Sequence, residues 1–204
     1  MKKWIVSACF LMMQASIWGK VTLPDILSDN MVLQQQTEAC LWGKANANAE
    51  ITIRPSWGYE VYTVKADADG KWKARIKTPV ASYQPYSIAI SDGEEKVLNN
   101  VLIGEVWFCS GQSNMEMPLR GFWNCPIEGA NEAIATASEW KGIRVATIEK
   151  NGQLQPVDNC RGSWKVSNPE NAPAFSATAF HFARMVNRVL DIPVGIINCS
   201  WGGT

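Results

Sequence analysis

The chain has 204 residues, 47% hydrophobic and 19% charged, and its 19 basic and 19 acidic side chains cancel. That length allows one large domain or two small ones, and the composition is that of a soluble globular protein. The balanced total shows no basic stripe, so nucleic acid is not an expected partner.

Lys2 and Lys3 precede an apolar run from Trp4 to Met13, the pattern of a secretory signal. The run is too short to span a bilayer as a helix. Residues 1–19 are read as a signal peptide cut after Gly19, which predicts a periplasmic or extracellular chain with no membrane attachment. A lipid-attachment reading of Val6-Ser7-Ala8-Cys9 leaves only Trp4 to Cys9 ahead of the cut, too little for an apolar region. Removing residues 1–19 takes two lysines and no acids, leaving a net charge of −2. Cys40, Cys109, Cys125, Cys160 and Cys199 remain, an odd set that leaves a thiol free or bonded between chains. Cys109 and Cys199 sit in apolar runs and read as buried. Cys125 and Cys160 lie in polar loops and could pair in an oxidising compartment. No cysteines have zinc-site spacing, and no metal is expected.

Residues 20–100 read as all-β. Short β-rich runs cover 31–33, 39–42, 51–54, 61–65, 72–77, 86–90 and 95–98, with turns such as Asp67-Ala68-Asp69-Gly70 between them. Strands at that spacing predict a small sandwich. Asp67 and Asp69 read as turn formers rather than calcium ligands. The texture changes at Val101. Residues 101–109 form an apolar strand with the look of one covered on both faces. A helix is predicted over 127–140, a strand over 143–148, then a polar loop holding Trp164. Phe175, Ala179, Phe182, Val186 and Val189 recur at helical spacing and predict a helix over 175–190. A strand over 194–199 follows. The β-α-β-α-β order of residues 101–204 implies a parallel, doubly wound sheet, whose sites collect at the C-terminal ends of strands.

Ser113 and Gly202-Gly203 both lie just past such ends. An apolar strand, a small-residue turn and one serine in Val106-Trp107-Phe108-Cys109-Ser110-Gly111-Gln112-Ser113-Asn114-Met115 make up the layout of a nucleophile. By spacing alone the serine also fits a helix cap, and the glycines a plain strand-to-helix turn. Backbone N–H groups at Gly202 could instead approach an oxyanion. His181, the only histidine, sits mid-helix and reads as structural. Trp42, Trp72 and Trp107 read as core. Trp123, Trp164 and Trp201 lie in or beside loops near the expected site, where they could meet a sugar, although burial is the simpler reading.

Gly104-Glu105-Val106-Trp107-Phe108-Cys109-Ser110-Gly111-Gln112-Ser113-Asn114-Met115 closely resembles the nucleophile block of the sialate O-acetylesterases, SGNH-type serine hydrolases with a flavodoxin-like sheet. Residues 27–35, Trp42-Gly43, 66–72, Phe175-Ser176-Ala177 and Ser200-Trp201-Gly202-Gly203-Thr204 resemble that family too. The resemblance implies a small all-β sandwich followed by the first half of an α/β flavodoxin-like domain. It implies that Ser113 attacks the acetyl carbonyl of an O-acetylated sugar, sialic acid or another glycan. The N–H groups of Ser113 and Gly202 would hold the tetrahedral intermediate, with Gln112, Asn114, Trp201 and Gly203 as substrate contacts and no cofactor. The family's Asp-x-x-His, which supplies the base, has no match in residues 1–204. The chain is therefore expected to be the N-terminal portion of a secreted carbohydrate O-acetylesterase with little or no turnover alone. Its last strand, 194–199, is expected to be an exposed apolar edge. The alternatives are a carbohydrate-binding module that keeps the fold without the chemistry, and a truncated, poorly folded product.

Overall fold

The computed structural model describes residues 21–203. The signal reading, the cut after Gly19 and Thr204 lie outside the described residues.

The strands β1 (Val32–Gln34), β2 (Glu38–Lys44), β3 (Glu50–Pro55), β4 (Tyr62–Lys65), β5 (Lys71–Lys77), β6 (Ser82–Ser91) and β7 (Glu95–Gly111) come first. Helices α1 (Ser113–Glu116) and α2 (Ala130–Ala135), strands β8 (Ile143–Thr147) and β9 (Trp164–Val166), helix α3 (Ala177–Leu190) and strand β10 (Val194–Ser200) follow. One mixed, eight-stranded sheet runs β4-β3-β6-β7-β10-β8-β9, with β1 also on β7, and β2 and β5 form a separate antiparallel pair. Turn chemistry sets the local order. The Asp67 carboxylate accepts the N–H groups of Asp69 at 2.9 Å and Lys71 at 2.8 Å, and Gly70 takes φ 76° to close the turn into β5.

Two predicted strands, 95–98 and 101–109, are a single strand. Asn99-Asn100 has the composition of a break, yet Asn100 stays in β7 at φ 55°. The buried Arg144 guanidinium bonds both its carbonyl and its side-chain oxygen, so the kinked residue is held from β8. Strand β7 thus spans residue 100. Its first half pairs with β6, and its last seven residues pair in parallel with β10.

The apolar side chains segregate into two clusters. One gathers Leu41, Trp72 and Ile76 of the two-stranded sheet against Ile51, Ile53, Ile88, Ile90, Val101 and Ile103 of the large one. The other packs α3 on β8 and β10 through Phe180, Ala183, Ile143, Val145 and Ile196. Each large side chain buried this fully contributes about 1.5–3 kcal/mol. Ser176 caps α3 by accepting the Ala179 N–H at 3.2 Å, and Asp191 ends it in a left-handed turn at φ 50°. The buried face of α3 is Ala179, Phe180, Ala183 and Asn187, not the expected stripe, for Phe182 is 38% and Val189 73% exposed. Alanines beside Phe180 let the helix seat closely on the sheet, and Phe182, Met185 and Val189 turn outward.

Other expectations need correction. The helix over 127–140 shrinks to α2 and a 3₁₀ turn, Ala137–Glu139. Gly129 enters left-handed at φ 71°, and the Thr136 hydroxyl donates to the Glu132 carbonyl at 2.8 Å, an alternative that stops the helix. Trp164 is not in a loop but in β9, antiparallel to β8, and its buried indole donates to the Ile26 carbonyl at 2.8 Å. Cys199 is exposed, and Cys125 and Cys160 are both free thiols. Cys109 is buried, which raises its thiol pKa above the ordinary value. Among the described residues no helix is long and apolar enough to cross a membrane.

The expected apolar edge at 194–199 is also corrected. Strand β10 is interior, with β7 on one side and β8 on the other. Besides the terminal strands β4 and β9, an open edge lies on β7. Past Gly104 its side opposite β10 carries no strand among the described residues, and the Val106 N–H donates only to the Gln34 side chain at 2.8 Å. Trp107 and Phe108 on this stretch are 44% and 66% exposed, so β7 is not covered on both faces and Trp107 is not core. Unpaired apolar strands recruit other strands. Phe108→Lys is expected to lower concentration-dependent self-association in light scattering. Equal association in both proteins would show that this edge is not the contact.

Candidate active site

The β7–β10 ladder assembles the site. Residues Val194 to Ser200 pair in register with Glu105 to Gly111, and the Trp201 N–H adds one more bond to the Gly111 carbonyl at 3.0 Å. Both chains therefore leave the sheet at the same level. One enters α1 through Gln112, and the other turns at 201–203. Gly111 makes its exit at φ 148°, a backbone that side-chain-bearing residues rarely adopt.

Ser113 is the exposed first residue of α1. A first helical residue has an N–H that the helix itself leaves unpaired. Gly202 sits directly against it. A Cβ placed on Gly202 would lie 3.3 Å from the Ser113 hydroxyl oxygen and 3.6 Å from its Cα. The fold thus joins the two predicted catalytic positions. Gln112 and Asn114 flank the serine and are exposed, and the Asn114 carbonyl accepts the Thr178 hydroxyl at 3.0 Å, which ties α1 to the start of α3. Trp201 is 42% exposed, with the Lys150 ammonium 6.0 Å from its ring centre. Gly203 is exposed at φ 82°.

Two residues that sequence reasoning missed complete the arrangement. The Gly202 N–H donates to Oε2 of Glu116, and the Lys150 ammonium holds Oε1 of the same carboxylate. Lys150, and after it the Gly202 N–H, keep the Glu116 carboxyl below its ordinary pKa, so it is charged at neutral pH. Glu116 fastens the glycine turn to the first turn of α1. Its spacing of three from Ser113, which puts both on one side of a helical turn, was the available signal. Lys150 offered none, because it arrives from the loop after β8.

No hydrogen bond among those of the described residues joins His181 to Ser113. Its ring lies 6.3 Å from that of Phe180 on α3, and partial burial together with Arg184 lowers its pKa. Trp164 is held in the core and Trp123 is 91% exposed on its loop. Among the described residues no three His, Cys, Asp or Glu side chains converge as a metal-binding group.

No family model matches the chain. It is 29% identical over 194 residues to the sialate O-acetylesterase of Homo sapiens, covering 87% of this chain and 36% of that protein. The sialate O-acetylesterase of Rattus norvegicus is 26% identical over 196 residues, covering 87% and 35%. The crystal structure of a carbohydrate acetylesterase from Xanthomonas citri superposes with a TM-score of 0.83 at 35% identity, over 91% of this chain and 41% of that one. The chain is homologous to the sialate O-acetylesterases. It spans about a third of the length of these curated relatives. The mixed sheet with few helices is shared with the acetylesterase neighbour.

Proposed function

We propose that this chain carries the nucleophile of a carbohydrate O-acetylesterase, with Ser113 as that nucleophile. The observation behind this reading is the Ser113 hydroxyl packed against Gly202, about 90 positions later in the sequence. The relatives' names supply the ester class, and O-acetylated sugars are the proposed substrates. On this reading residues 20–100 form a small β-sandwich and residues 101–204 the first half of an SGNH-type, flavodoxin-like unit in a secreted protein.

The chemistry follows from the geometry. The Ser113 oxygen adds to the acetyl carbonyl, and its proton must pass to a base. The carbonyl oxygen becomes an oxyanion facing the Ser113 N–H and, once Glu116 lets it go, the Gly202 N–H. Collapse expels the sugar hydroxyl and leaves an acetyl-serine, which water then hydrolyses. Gln112, Asn114, Trp201 and Gly203 border the space a sugar would fill. No hydrogen bond among those of the described residues joins His181 to Ser113, and on this reading His181 is not the base. Loss of the histidine from a serine triad costs several orders of magnitude in rate.

The test is covalent. A fluorophosphonate should slowly label Ser113, as located by mass spectrometry, and faster with free imidazole as a substitute base. Ser113→Ala should not label, and 4-nitrophenyl acetate turnover should stay near background. A chain that never labels at Ser113 would refute the nucleophile. Sustained hydrolysis lost in Ser113→Ala would refute the missing base. The competing reading, a glycan-binding module without chemistry, predicts sugar binding with no adduct.

A further inference from the structure

The two-stranded sheet has a face that the core does not use. Leu41 with Ala74 and Gly43 with Trp72 point to the core, so the alternate pairs Cys40 with Arg75, Trp42 with Lys73 and Lys44 with Lys71 lie on the other face, where only Trp42 is half-buried enough to reach the core's rim. Lys71, Lys73 and Arg75 are exposed and stand ~7 Å apart along β5. Lys44 lies directly opposite Lys71, a like-charge pairing that destabilises a bare sheet. Asp158 relieves Lys71 with an ion pair at 3.0 Å, but Lys44, Lys73 and Arg75 have no carboxylate within ion-pair reach among the described residues. At the far end Lys77 stands opposite Glu38. The chain's charge cancels overall, so this basic face is hidden in the balanced total.

A cleft of about 610 Å³ adjoins the same face, lined by Trp42, Lys44, Lys71, Lys73, Asp158 and Asn159. Its wall mixes the half-buried Trp42 indole, whose N–H donates to the Asp158 carbonyl at 3.5 Å, with apolar Leu23 and Pro24 and exposed cations. A bare inorganic anion would use the cations and leave the indole idle.

We propose that this face binds a carboxylate-bearing glycan. Lys44, Lys73 and Arg75 meet the sugar carboxylates, Arg75 with the paired donors that suit them. The Trp42 indole lies against the apolar face of a ring. Ser113 lines no part of this cleft, so the proposal stands apart from the esterase reading.

The full chain is tested by affinity electrophoresis in gels containing polygalacturonate. The expected result is retardation that weakens with added salt, falls at least tenfold in K73Q/R75Q, and persists in Ser113→Ala. Neutral dextran should not retard the chain. All three cations are exposed, and thermal melts confirm that the variants fold; Lys44→Gln is the second variant should the double one fail. No retardation of the wild type would overturn the proposal. So would equal retardation in the variants or by dextran, or a single-stranded oligonucleotide bound as strongly as polygalacturonate.

Discussion

In Gly202→Ala, fluorophosphonate labelling of Ser113 will slow by at least about tenfold, a barrier increase of ~1.4 kcal/mol. The added methyl would sit 2.6 Å from Oε2 of Glu116 and 3.3 Å from the Ser113 hydroxyl oxygen. The carboxylate is the end of a flexible side chain and can swing away. Doing so gives up the Gly202 N–H and drags Lys150 with it. The serine has less room, because its backbone begins α1 and α1 is tied to α3 by the Thr178 hydroxyl and by the Ala177 N–H on the Met117 carbonyl. The methyl therefore stands where an incoming carbonyl or phosphonyl group must stand. A small misplacement at a reacting atom is enough for a large rate loss. The measurement is the labelling rate on protein with an unchanged melting temperature. An unchanged rate would mean that the glycine turn does not border the reactive hydroxyl.

The second large effect is on stability. Gly104→Ala will lower the melting temperature by roughly 6–12 °C, for an overpacking cost of ~3 kcal/mol in a chain of this size. Gly104 lies where three strands meet. Its carbonyl accepts the Gln35 N–H at 2.8 Å just past β1, and the next N–H, that of Glu105, donates to the Pro193 carbonyl at 3.0 Å just before β10. A Cβ there would lie 2.1 Å from the Pro193 carbonyl oxygen, 2.7 Å from its carbon and 2.9 Å from the proline ring. None of these atoms is a flexible tip, so a strand must move. Gly58→Ala is the control, since its Cβ would meet nothing within 4 Å. Equal melting temperatures for the two variants would show that β10 does not close on β7 as described.

Local patterns were legible where they repeat within one segment. The short strands of residues 31–90 appear close to their expected positions, because alternation and Gly or Asp turns act over a few residues. Helix α3 is legible for the same reason, although its buried face is not. Which side of an amphipathic helix goes inward depends on how near the sheet comes, and alanine permits what Phe182 and Val189 do not. Strand β9 was illegible, since three residues hold no period and only pairing to β8 makes Trp164–Val166 a strand. The join across Asn99-Asn100 was illegible because the guanidinium that holds it comes from Arg144, about 44 positions on.

The sequence by itself determined the loop proposed to carry the nucleophile, the glycine turn and the family they resemble. Each is a short run whose chemistry depends on neighbouring residues. Tertiary structure alone decided that β10 lies between β7 and β8, which leaves the β7 edge open rather than its own. It also decided that Gly202 meets Ser113 and that its N–H is held by a Glu116 clamped by Lys150. Such contacts join segments tens of residues apart. Only the parallel register of β7 and β10, with Val194 and Ile196 of β10 buried, brings them to one place.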